Sequence, residues 1–467
     1  MTNDICPFEL NLNHSTATKL QCYTTLRHLP GRRLVCSGRW DGEQVVVKLF
    51  EGKKALRYWE REIRGINLLQ QRGVATPALL FAGTLADNTT PVLITRMITG
   101  AKTAQERWGR CADDTERVHL LRTLTEVIAQ QHKHGLWQED LHLGNFLLRA
   151  DEVFTIDGDA IRAKIAPVLL PQRISRSNMG LFLAQIPPAY EYLFMDILKH
   201  YTNVSGQSMQ AWESLLAMEL PQQRRKRRHA YVAKAFRTCS EFTHRRQMGQ
   251  LLIHRTDAPA ELVQQLQLDP DSLVQQGVVL KAGNSATVVR IGVGTEEWVI
   301  KRYNLKTPWH MLKRCMRPTR AAISWGNAHR LKISDINTPQ PVAMMEKRFG
   351  PLRLTGYYVC RYVEAPNVTE YFSCSNVMDM QQSQAAIALV QMFELFYRLG
   401  IHHGDCKASN FLLKNHNPWV IDLDAMREFS SRKNYMRHYK TDRARFLRNW
   451  EPGSSVRDWF DKHLPQT

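Results

Sequence analysis

The stretch that decides the fold is Gly135-Leu-Trp-Gln-Glu-Asp-Leu-His-Leu-Gly-Asn-Phe-Leu-Leu148, because the chain contains it twice. It recurs as Gly400-Ile-His-His-Gly-Asp-Cys-Lys-Ala-Ser-Asn-Phe-Leu-Leu413, and the match continues from Ile156–Arg162 to Ile421–Arg427 without a gap. Self-similarity at one long spacing indicates a duplicated domain rather than an array of short repeats. The sequence therefore predicts two copies of one domain of roughly 200 residues each, which is an ordinary domain size.

The duplication reaches back to the first part of each copy. Lys48 lies in the run Gln44–Phe50 and Lys301 lies in Trp298–Tyr303, and both runs are rich in β-branched residues, which indicates strands. Before the repeated stretch, apolar residues recur at helical spacing, as from Val118 to Ile128. We therefore expect an α+β fold in which each copy has a small sheet-rich lobe followed by a mostly helical lobe.

These patterns place a first domain at residues 1–205 and a second at residues 271–467. Residues 206–270 are expected to form a basic connector or the beginning of the second domain. Within them, Arg224–Arg228 is a run of five consecutive basic residues, and nearby apolar residues allow an amphipathic helix. Two interpretations of this helix stay open: a solvated connection and a surface for an anionic partner.

The composition narrows the class of protein. The 467 residues include 63 Lys and Arg against 44 Asp and Glu, which gives a formal net charge of +19, and 43% of the residues are hydrophobic. The hydrophobic share is that of a globular protein and argues against bulk disorder. The charge predicts attraction to polyanions, such as nucleic acid, an anionic membrane face or a phosphorylated substrate.

Cysteine usage and hydropathy indicate the compartment. Nine cysteines with no CxxC pair argue against a disulfide scaffold and a cysteine zinc site, and they favour a reducing cytosol. The sequence shows no secretory signal and no run of about 18 apolar residues that would span a bilayer. We therefore expect a cytoplasmic protein that is soluble or peripheral to a membrane.

The repeated signature carries a specific chemistry. It is an Asp, an Asn five residues later and a second Asp twelve residues after that, namely Asp140, Asn145 and Asp157 in the first copy and Asp405, Asn410 and Asp422 in the second. Two acids and an amide brought together by a strand–turn–strand make a hard oxygen site for Mg²⁺, with one acid left to accept a proton. With a strand lysine to contact phosphates, these are the parts that phosphoryl transfer requires.

The motifs resemble those of the protein-kinase-like superfamily, and Gly404–Asn410 is close to the catalytic loop of its small-molecule branch. More closely, Trp325–Leu331 before Thr338-Pro339, together with Asp442–Trp450, resembles the bacterial lipopolysaccharide core (Kdo/heptose) kinase family. The resemblance implies two tandem protein-kinase-like domains and an ATP- and Mg²⁺-dependent kinase.

The resemblance also implies residue roles in the first copy. Lys48 is expected to contact the ATP phosphates, with Glu62 as its partner on the following helix. Asp140 is expected to be the catalytic base. Asn145 and Asp157 are expected to be the Mg²⁺ ligands.

In the second copy the corresponding phosphate-binding lysine is Lys301. Asp405 is the expected catalytic base, and Asn410 and Asp422 are the expected Mg²⁺ ligands. Gly283 and Asn284 lie in a short turn that is expected to cover the phosphates.

Each copy departs from the family pattern in a different place. The first has an arginine-rich loop, Leu29–Arg39, where protein kinases have glycines, and Gln138 where the usual His precedes the catalytic Asp. The second keeps His403 but has Ser324 in place of Glu62, so Lys301 has no acid in the expected helix. Sequence leaves open which copy is active and whether one of them is a pseudokinase.

The expected function is ATP-dependent phosphorylation of a sugar hydroxyl of the lipopolysaccharide inner core. The expected partner is a core intermediate or another anionic glycolipid, with peripheral contact at the cytoplasmic face of the inner membrane. Alternatives are a small-molecule or protein kinase of the same superfamily and a tandem pseudokinase scaffold at the membrane face. Nucleic acid is disfavoured because only the charge suggests it.

Overall fold

The structure is a computed structural model that describes residues 5–13, 19–247, 249–304, 317–373 and 380–466. These residues form a mixed α and β protein, as the sequence predicts. The chain divides into two compact units, Met1–Arg224 and Arg225–Thr467. Each unit contains one large antiparallel sheet, and most of its helices follow that sheet along the chain.

The first unit is built on a six-stranded sheet with the order β1-β2-β3-β4-β6-β5. The sheet consists of β1 (Phe8–Leu10), β2 (Leu20–Leu29), β3 (Arg33–Trp40), β4 (Glu43–Phe50), β5 (Leu79–Thr84) and β6 (Pro91–Arg96). Shorter sheets of the same unit contain β7 (Lys102–Thr103), β8 (Leu136–Gln138), β9 (Phe146–Arg149), β10 (Glu152–Thr155) and β11 (Ile161–Ala163). In β4, Val45 and Val47 are fully buried on one face of the sheet. Because side chains alternate along a strand, Val46 and Lys48 lie on the other face.

The helices of the first unit are α1 (Ala55–Gln71), α2 (Ala104–Trp108), α3 (Asp114–Lys133), α4 (Gln172–Leu183), α5 (Phe194–Ser205), α6 (Gln210–Ser214) and α7 (Leu220–Lys234), the last of which extends past Arg224. The predicted amphipathic helix is α3. The Asp113 carboxylate caps it by accepting from the backbone N–H of Glu116 at 2.9 Å. Leu121, Leu124 and Ile128 are fully buried on its inner face, which holds the following loop against the helical core.

The second unit is built on a seven-stranded sheet with the order β12-β13-β17-β18-β16-β15-β14. The sheet consists of β12 (Phe242–Gln247), β13 (Gln250–Arg255), β14 (Val278–Ala282), β15 (Ala286–Val293), β16 (Glu296–Tyr303), β17 (Pro341–Phe349) and β18 (Leu352–Arg361). Two-stranded sheets of the same unit contain β19 (Ile401–His402), β20 (Phe411–Lys414), β21 (Asn417–Val420) and β22 (Arg427–Glu428). Lys301 lies on β16 between β15 and β18, opposite Val288 and Tyr358.

The remaining helices are α8 (Ala260–Leu268), α9 (Pro270–Gln276), α10 (Arg320–Ile333), α11 (Val368–Tyr371), α12 (Met380–Leu399), α13 (Arg432–Leu447) and α14 (Ser455–His463). An aromatic cluster joins α12 and α13 to the hairpin of β20 and β21, since Phe393 packs on Phe411 and Phe446 with ring centroids 5.8 and 4.8 Å apart. Each buried side chain of this size contributes about 1.5–3 kcal/mol.

Of the segment 206–270, residues up to Arg224 belong to the first unit and residues from Arg225 onward belong to the second. Arg224 and Arg228 of α7 are only 7% and 5% exposed, so part of the basic run is buried rather than solvated. β13 pairs with β17 and thereby adds the hairpin of β12 and β13 to the second sheet. The short apolar run of β13, among many basic residues, gives a weak sequence signal for a strand.

No helix among the described residues is long and apolar enough to cross a membrane. Residues 305–316, which belong to a second basic stretch of the sequence, lie outside the described residues.

Candidate active site

In each unit the repeated signature folds into a hairpin that gathers its polar residues. In the second unit, β20 pairs with β21, and the backbone N–H of Ile421 donates to the Asn410 carbonyl at 3.0 Å. Asn410 Nδ2 donates to the Asp405 carbonyl at 2.8 Å and faces its carboxylate Oδ2 at 3.3 Å. Local pairing therefore brings the first Asp and the Asn of the signature together.

The first unit repeats this arrangement. Ile156 N–H donates to the Asn145 carbonyl at 2.9 Å, and Asn145 Nδ2 donates to the Asp140 carbonyl at 2.7 Å. The second Asp of each signature, Asp157 or Asp422, has a left-handed backbone with φ of 69° or 60°. Non-glycine residues rarely adopt this conformation, and it occurs often at functional sites.

Lys301 contacts both acids that follow β21. Its Nζ lies 2.5 Å from Asp422 Oδ1 and 3.3 Å from Asp424 Oδ2. Ser324, which stands where the first copy has Glu62, bonds the Tyr303 hydroxyl at 2.8 Å. Burial raises the pKa of Asp422, but the Lys301 ammonium outweighs it and holds that pKa below its usual range. The second unit therefore keeps an ionised carboxylate beside the strand lysine.

Asp405 is held by two cations that sequence analysis did not single out. Arg445 on α13 donates from Nε to Asp405 Oδ1 at 2.7 Å, and Lys407 Nζ lies 3.3 Å from Oδ2. Burial raises the pKa of Asp405, yet these cations lower it overall. The side chain is 30% exposed. An ionised, oriented and accessible carboxylate of this kind can accept a proton.

The residues before Asp405 are fixed by buried hydrogen bonds. His403 Nε2 lies 3.0 Å from the Ile421 carbonyl, and its Nδ1 accepts from the Asp405 N–H at 3.3 Å. Burial lowers the pKa of His403, which favours the neutral ring. Asp442 accepts from the backbone N–H groups of His403 and Gly404 at 2.7 and 3.1 Å. His403 therefore positions the loop through its own ring and backbone contacts.

A cavity of about 580 Å³ lies beside these residues. Lys301, Asn410 and Asp422 line it, and its apolar wall is formed by side chains such as Leu280, Val288, Val299, Leu412 and Ile421. An apolar wall with a few convergent polar groups is typical of a small-molecule site.

The predicted phosphate-covering turn lies near this cavity but does not line it. Gly283 N–H donates to the Ala286 carbonyl at 3.1 Å and thereby closes the turn between β14 and β15. Gly283 and Asn284 are exposed, whereas Lys281 of the preceding strand does line the cavity. The structure thus places Lys281, rather than the two predicted residues, at the cavity.

In the first unit, the strand lysine pairs with an acid on α1, as the sequence predicts. Lys48 Nζ bonds Glu62 Oε1. Glu62 is fully buried and also accepts from the N–H groups of Gly158 and Asp159 at 3.2 Å each. The close approach of α1 to this turn requires glycine, because a Cβ on Gly65 would lie 1.9 Å from the Gly158 carbonyl oxygen.

In the first unit, an arginine binds Asp157, the second Asp of the repeated signature. The predicted arginine-rich loop Leu29–Arg39 is instead the end of β2, a turn and most of β3. Arg33, the first residue of β3, donates to both carboxylate oxygens of Asp157 at 3.3 and 3.4 Å. Burial raises the pKa of Asp157, but Lys48 and Arg33 hold it well below its usual range. The Arg33 guanidinium therefore binds both of the carboxylate oxygens that Asp157 would need to bind a metal ion.

The first catalytic candidate is held differently from its counterpart. The Asp140 side chain is 77% exposed, and the one ion-pair partner found among the described residues is His142 at 3.9 Å. Glu139 pairs with Arg162 at 2.6 Å. Gln138, at the place of His403, is fully buried, and its side-chain amide has no hydrogen-bond partner among the described residues.

The two predicted metal sites differ in how well they suit a cation. No cluster of three or more Cys, His, Asp or Glu that could hold a metal occurs among the described residues. In the second unit the oxygen donors are a carboxylate and an amide, Asp422 and Asn410, which are hard ligands that suit Mg²⁺. Asn410 uses its Nδ2 to bind Asp405, so its amide oxygen is not needed there. In the first unit, Arg33 occupies both oxygens of Asp157.

Several residues of the site gave little sequence signal. Arg445 and Asp442 lie in the segment quoted for the family resemblance, and their three-residue spacing on a helix indicates a shared face. That spacing could have pointed to them. Arg33 and Arg320 gave no such signal, because their partners Asp157 and Asp424 are far away in sequence.

Residues 272–461 match the model of the lipopolysaccharide kinase (Kdo/WaaP) family. A solved structure described as "WaaP in complex with acyl carrier protein" is 17% identical, covers 43% of this chain and 87% of that chain, and has a TM-score of 0.34. No curated protein matches the chain. The predicted resemblance to lipopolysaccharide core kinases is confirmed by the family match, which lies within the second unit.

Proposed function

We propose that the chain is an ATP-dependent phosphotransferase that acts on a sugar hydroxyl of the lipopolysaccharide inner core, and that its second unit is the catalytic one. The observation that supports this most is the cavity lined by Lys301, Asn410 and Asp422, with Asp405 bonded to Asn410. These residues lie within the part of the chain that matches the lipopolysaccharide kinase family.

The proposed reaction uses the described geometry as follows. The apolar wall of the cavity takes the adenine, and the Lys301 ammonium contacts the phosphates. Asp405, kept ionised by Arg445 and Lys407, accepts the proton of the acceptor hydroxyl as that oxygen attacks the terminal phosphorus in line. The bond between this phosphorus and the bridging oxygen breaks, and ADP leaves with the electron pair. Asn410 and Asp422 are the residues that would hold Mg²⁺, which neutralises phosphate charge when bound. Catalysis rests on positioning and charge.

We propose that the first unit is a second kinase-like domain that supports the other without transferring phosphate. Its Lys48–Glu62 pair is intact, but Arg33 binds both oxygens of Asp157. A buried guanidinium provides the charge that a metal would supply, and it blocks the carboxylate from a cation. Asp140 also lacks a counterpart of the Asp405–Arg445 bond among the described residues.

The proposed acceptor is an anionic glycolipid at the cytoplasmic face of the inner membrane. The family match supports a lipopolysaccharide core substrate. The formal charge of +19 supports attraction to an anionic membrane surface and its phosphorylated lipids.

Purified protein incubated with γ-labelled ATP, Mg²⁺ and a core glycolipid that lacks core phosphates tests the proposal. We expect label on the sugar and none on a bystander protein. Label on protein or on a small metabolite but not on the glycolipid would favour another kinase of the superfamily. Nucleotide binding without any transfer would favour a pseudokinase scaffold.

A further inference from the structure

A second, larger cavity lies in the second unit, behind α10. Its volume is about 1240 Å³, and its described lining combines arginines and histidines with apolar side chains. The basic lining residues are Arg225, His229, Arg320, Arg330, Arg353, His402 and Arg427, and the acidic ones are Asp424 and Glu428. Arginines therefore outnumber carboxylates in the wall. Clefts lined by one sign of charge focus the field and concentrate counter-ions.

The carboxylate at the base of this cavity is already saturated with cations. The Glu428 side chain is 3% exposed, and it contacts Arg228 at 2.7 Å, Arg330 at 3.1 Å and His229 at 3.4 Å. One carboxylate thus contacts at least two arginines, which are permanently charged. Because the carboxylate can neutralise only one positive charge, a net positive charge remains to attract a ligand.

Two further arginines lie in the wall. Arg353 on β18 and Arg427 on β22 line the cavity, and neither has an ion pair among the described residues. His402 also lines it, but its Nε2 lies 3.3 Å from Asp442 Oδ1 and its Nδ1 is buried, so the ring offers no donor to the cavity. The two guanidinium groups supply planar donors to one space, which is a donor set suited to phosphate oxygens.

Apolar side chains also line the cavity, and its Asp424 contacts Lys301. Val232, Phe236 and Ile323 line the same space and suit the carbon skeleton that carries a phosphate. Arg320 bonds Asp424 at 2.7 Å, and Asp424 lies 3.3 Å from Lys301 Nζ. An occupant of this cavity would therefore lie one ion pair away from the lysine of the proposed active site.

We propose that this cavity is a binding site for the phosphate group of a phosphorylated ligand, separate from the nucleotide cleft. Its determinants are Arg353, Arg427 and the two cavity-lining arginines that share Glu428, Arg225 and Arg330. The phosphate can come from a soluble phosphate ester or from a lipid headgroup, since both present the same oxygens to these donors.

Titration calorimetry of the full chain with inorganic pyrophosphate tests the site. The test variant is Arg353→Ala with Arg427→Ala, and the matched control is Arg398→Ala with Arg437→Ala, which removes the same charge from other helices of the unit. We expect the test variant to bind pyrophosphate at least about tenfold more weakly and the control to bind like the wild type. Mg²⁺-ATP affinity should not change in either.

Lys301→Met separates this site from the proposed activity. We expect it to lose Mg²⁺-ATP affinity and keep its pyrophosphate affinity. If the wild type binds no ATP, the proposed function fails while the cavity result stands. Equal pyrophosphate affinity in the test variant and wild type would overturn the site, and so would equal losses in test and control variants.

Flotation with phosphatidylcholine vesicles, with and without phosphatidic acid, identifies the source of the phosphate. Binding to phosphatidic acid vesicles that only the test variant loses would support a lipid headgroup. Pyrophosphate binding at the cavity without vesicle binding would support a soluble phosphate ester.

Discussion

Replacing Arg33 by Met should destabilise the first unit and free a carboxylate for a cation. Arg33 is buried, and its guanidinium spans both oxygens of Asp157. Met keeps much of the side-chain volume but removes the charge and the donors. Asp157, whose side chain is 22% exposed, would then lose its bidentate partner.

The structure sets the size of the effect. Removing one partner of a buried ion pair costs about 3–5 kcal/mol. The two bonds, at 3.3 and 3.4 Å, are long for charged groups, and Lys48 stays 4.0 Å from Asp157 as a partial substitute. We therefore expect the low end, about 3 kcal/mol, which corresponds to a more than roughly hundredfold larger opening constant.

Hydrogen exchange by mass spectrometry measures this within the full chain, because it reports opening of each segment separately. Amides of β3, β4 and β10 should exchange faster in Arg33→Met, while those of β15 and β16 should not change. The matched control is Arg32→Met: Arg32 is 47% exposed and lies 3.6 Å from Asp159, so its loss should cost less than about 1 kcal/mol.

Mg²⁺ supplies a second readout for the same variant. Addition of Mg²⁺ should restore protection of the first-unit strands in Arg33→Met and leave the same strands unchanged in the wild type, because only the variant has free Asp157 oxygens. Equal exchange in the two arginine variants would refute the argument that Arg33 neutralises a buried carboxylate. An equal Mg²⁺ response in wild type and variant would refute the argument that it blocks a cation.

Lys301→Met should weaken Mg²⁺-ATP binding by at least about tenfold, the size of one lost charged contact, and calorimetry showing unchanged affinity would contradict its role. Burial raises the pKa of Asp442 to about 7. The contribution of this carboxyl to the free energy of unfolding is therefore complete below about pH 4, and it falls by up to about 1.4 kcal/mol per pH unit as the pH rises to 7. Asp442→Asn should remove that slope in urea unfolding at pH 5, 6 and 7, and an identical slope would contradict the raised pKa. Gly65→Ala should cost at least about 1–3 kcal/mol through overpacking, because its Cβ meets the Gly158 carbonyl; exchange in α1 unchanged from wild type would disprove this.

Sequence could predict the parts of the fold and the site that depend on local order. The hairpin after Asp405, the strand of Lys301 and the helix around Leu124 follow from spacing and periodicity, and duplication supplied each pattern twice. The contacts between distant residues were out of reach. Arg33 meets Asp157 across a separation that no periodicity spans.

One hairpin of the second sheet was also not predictable from the sequence. The hairpin Phe242–Arg255 is rich in basic residues, and only its pairing with β17 shows that it is part of the sheet. The anchoring of Asp405 by Arg445 depends in the same way on how α13 packs. Tertiary packing decides such features, and a single sequence records only one side of each contact.

Phosphoryl transfer by Asp405→Asn and Asp140→Asn, compared with wild type on the same core glycolipid, tests the central claim most directly. We predict that Asp405→Asn lowers the rate at least about a hundredfold, as loss of a general base does, while Mg²⁺-ATP affinity is kept. Asp140→Asn should transfer phosphate at the wild-type rate. Full transfer by Asp405→Asn, or loss of transfer in Asp140→Asn, would contradict the assignment of catalysis to the second unit.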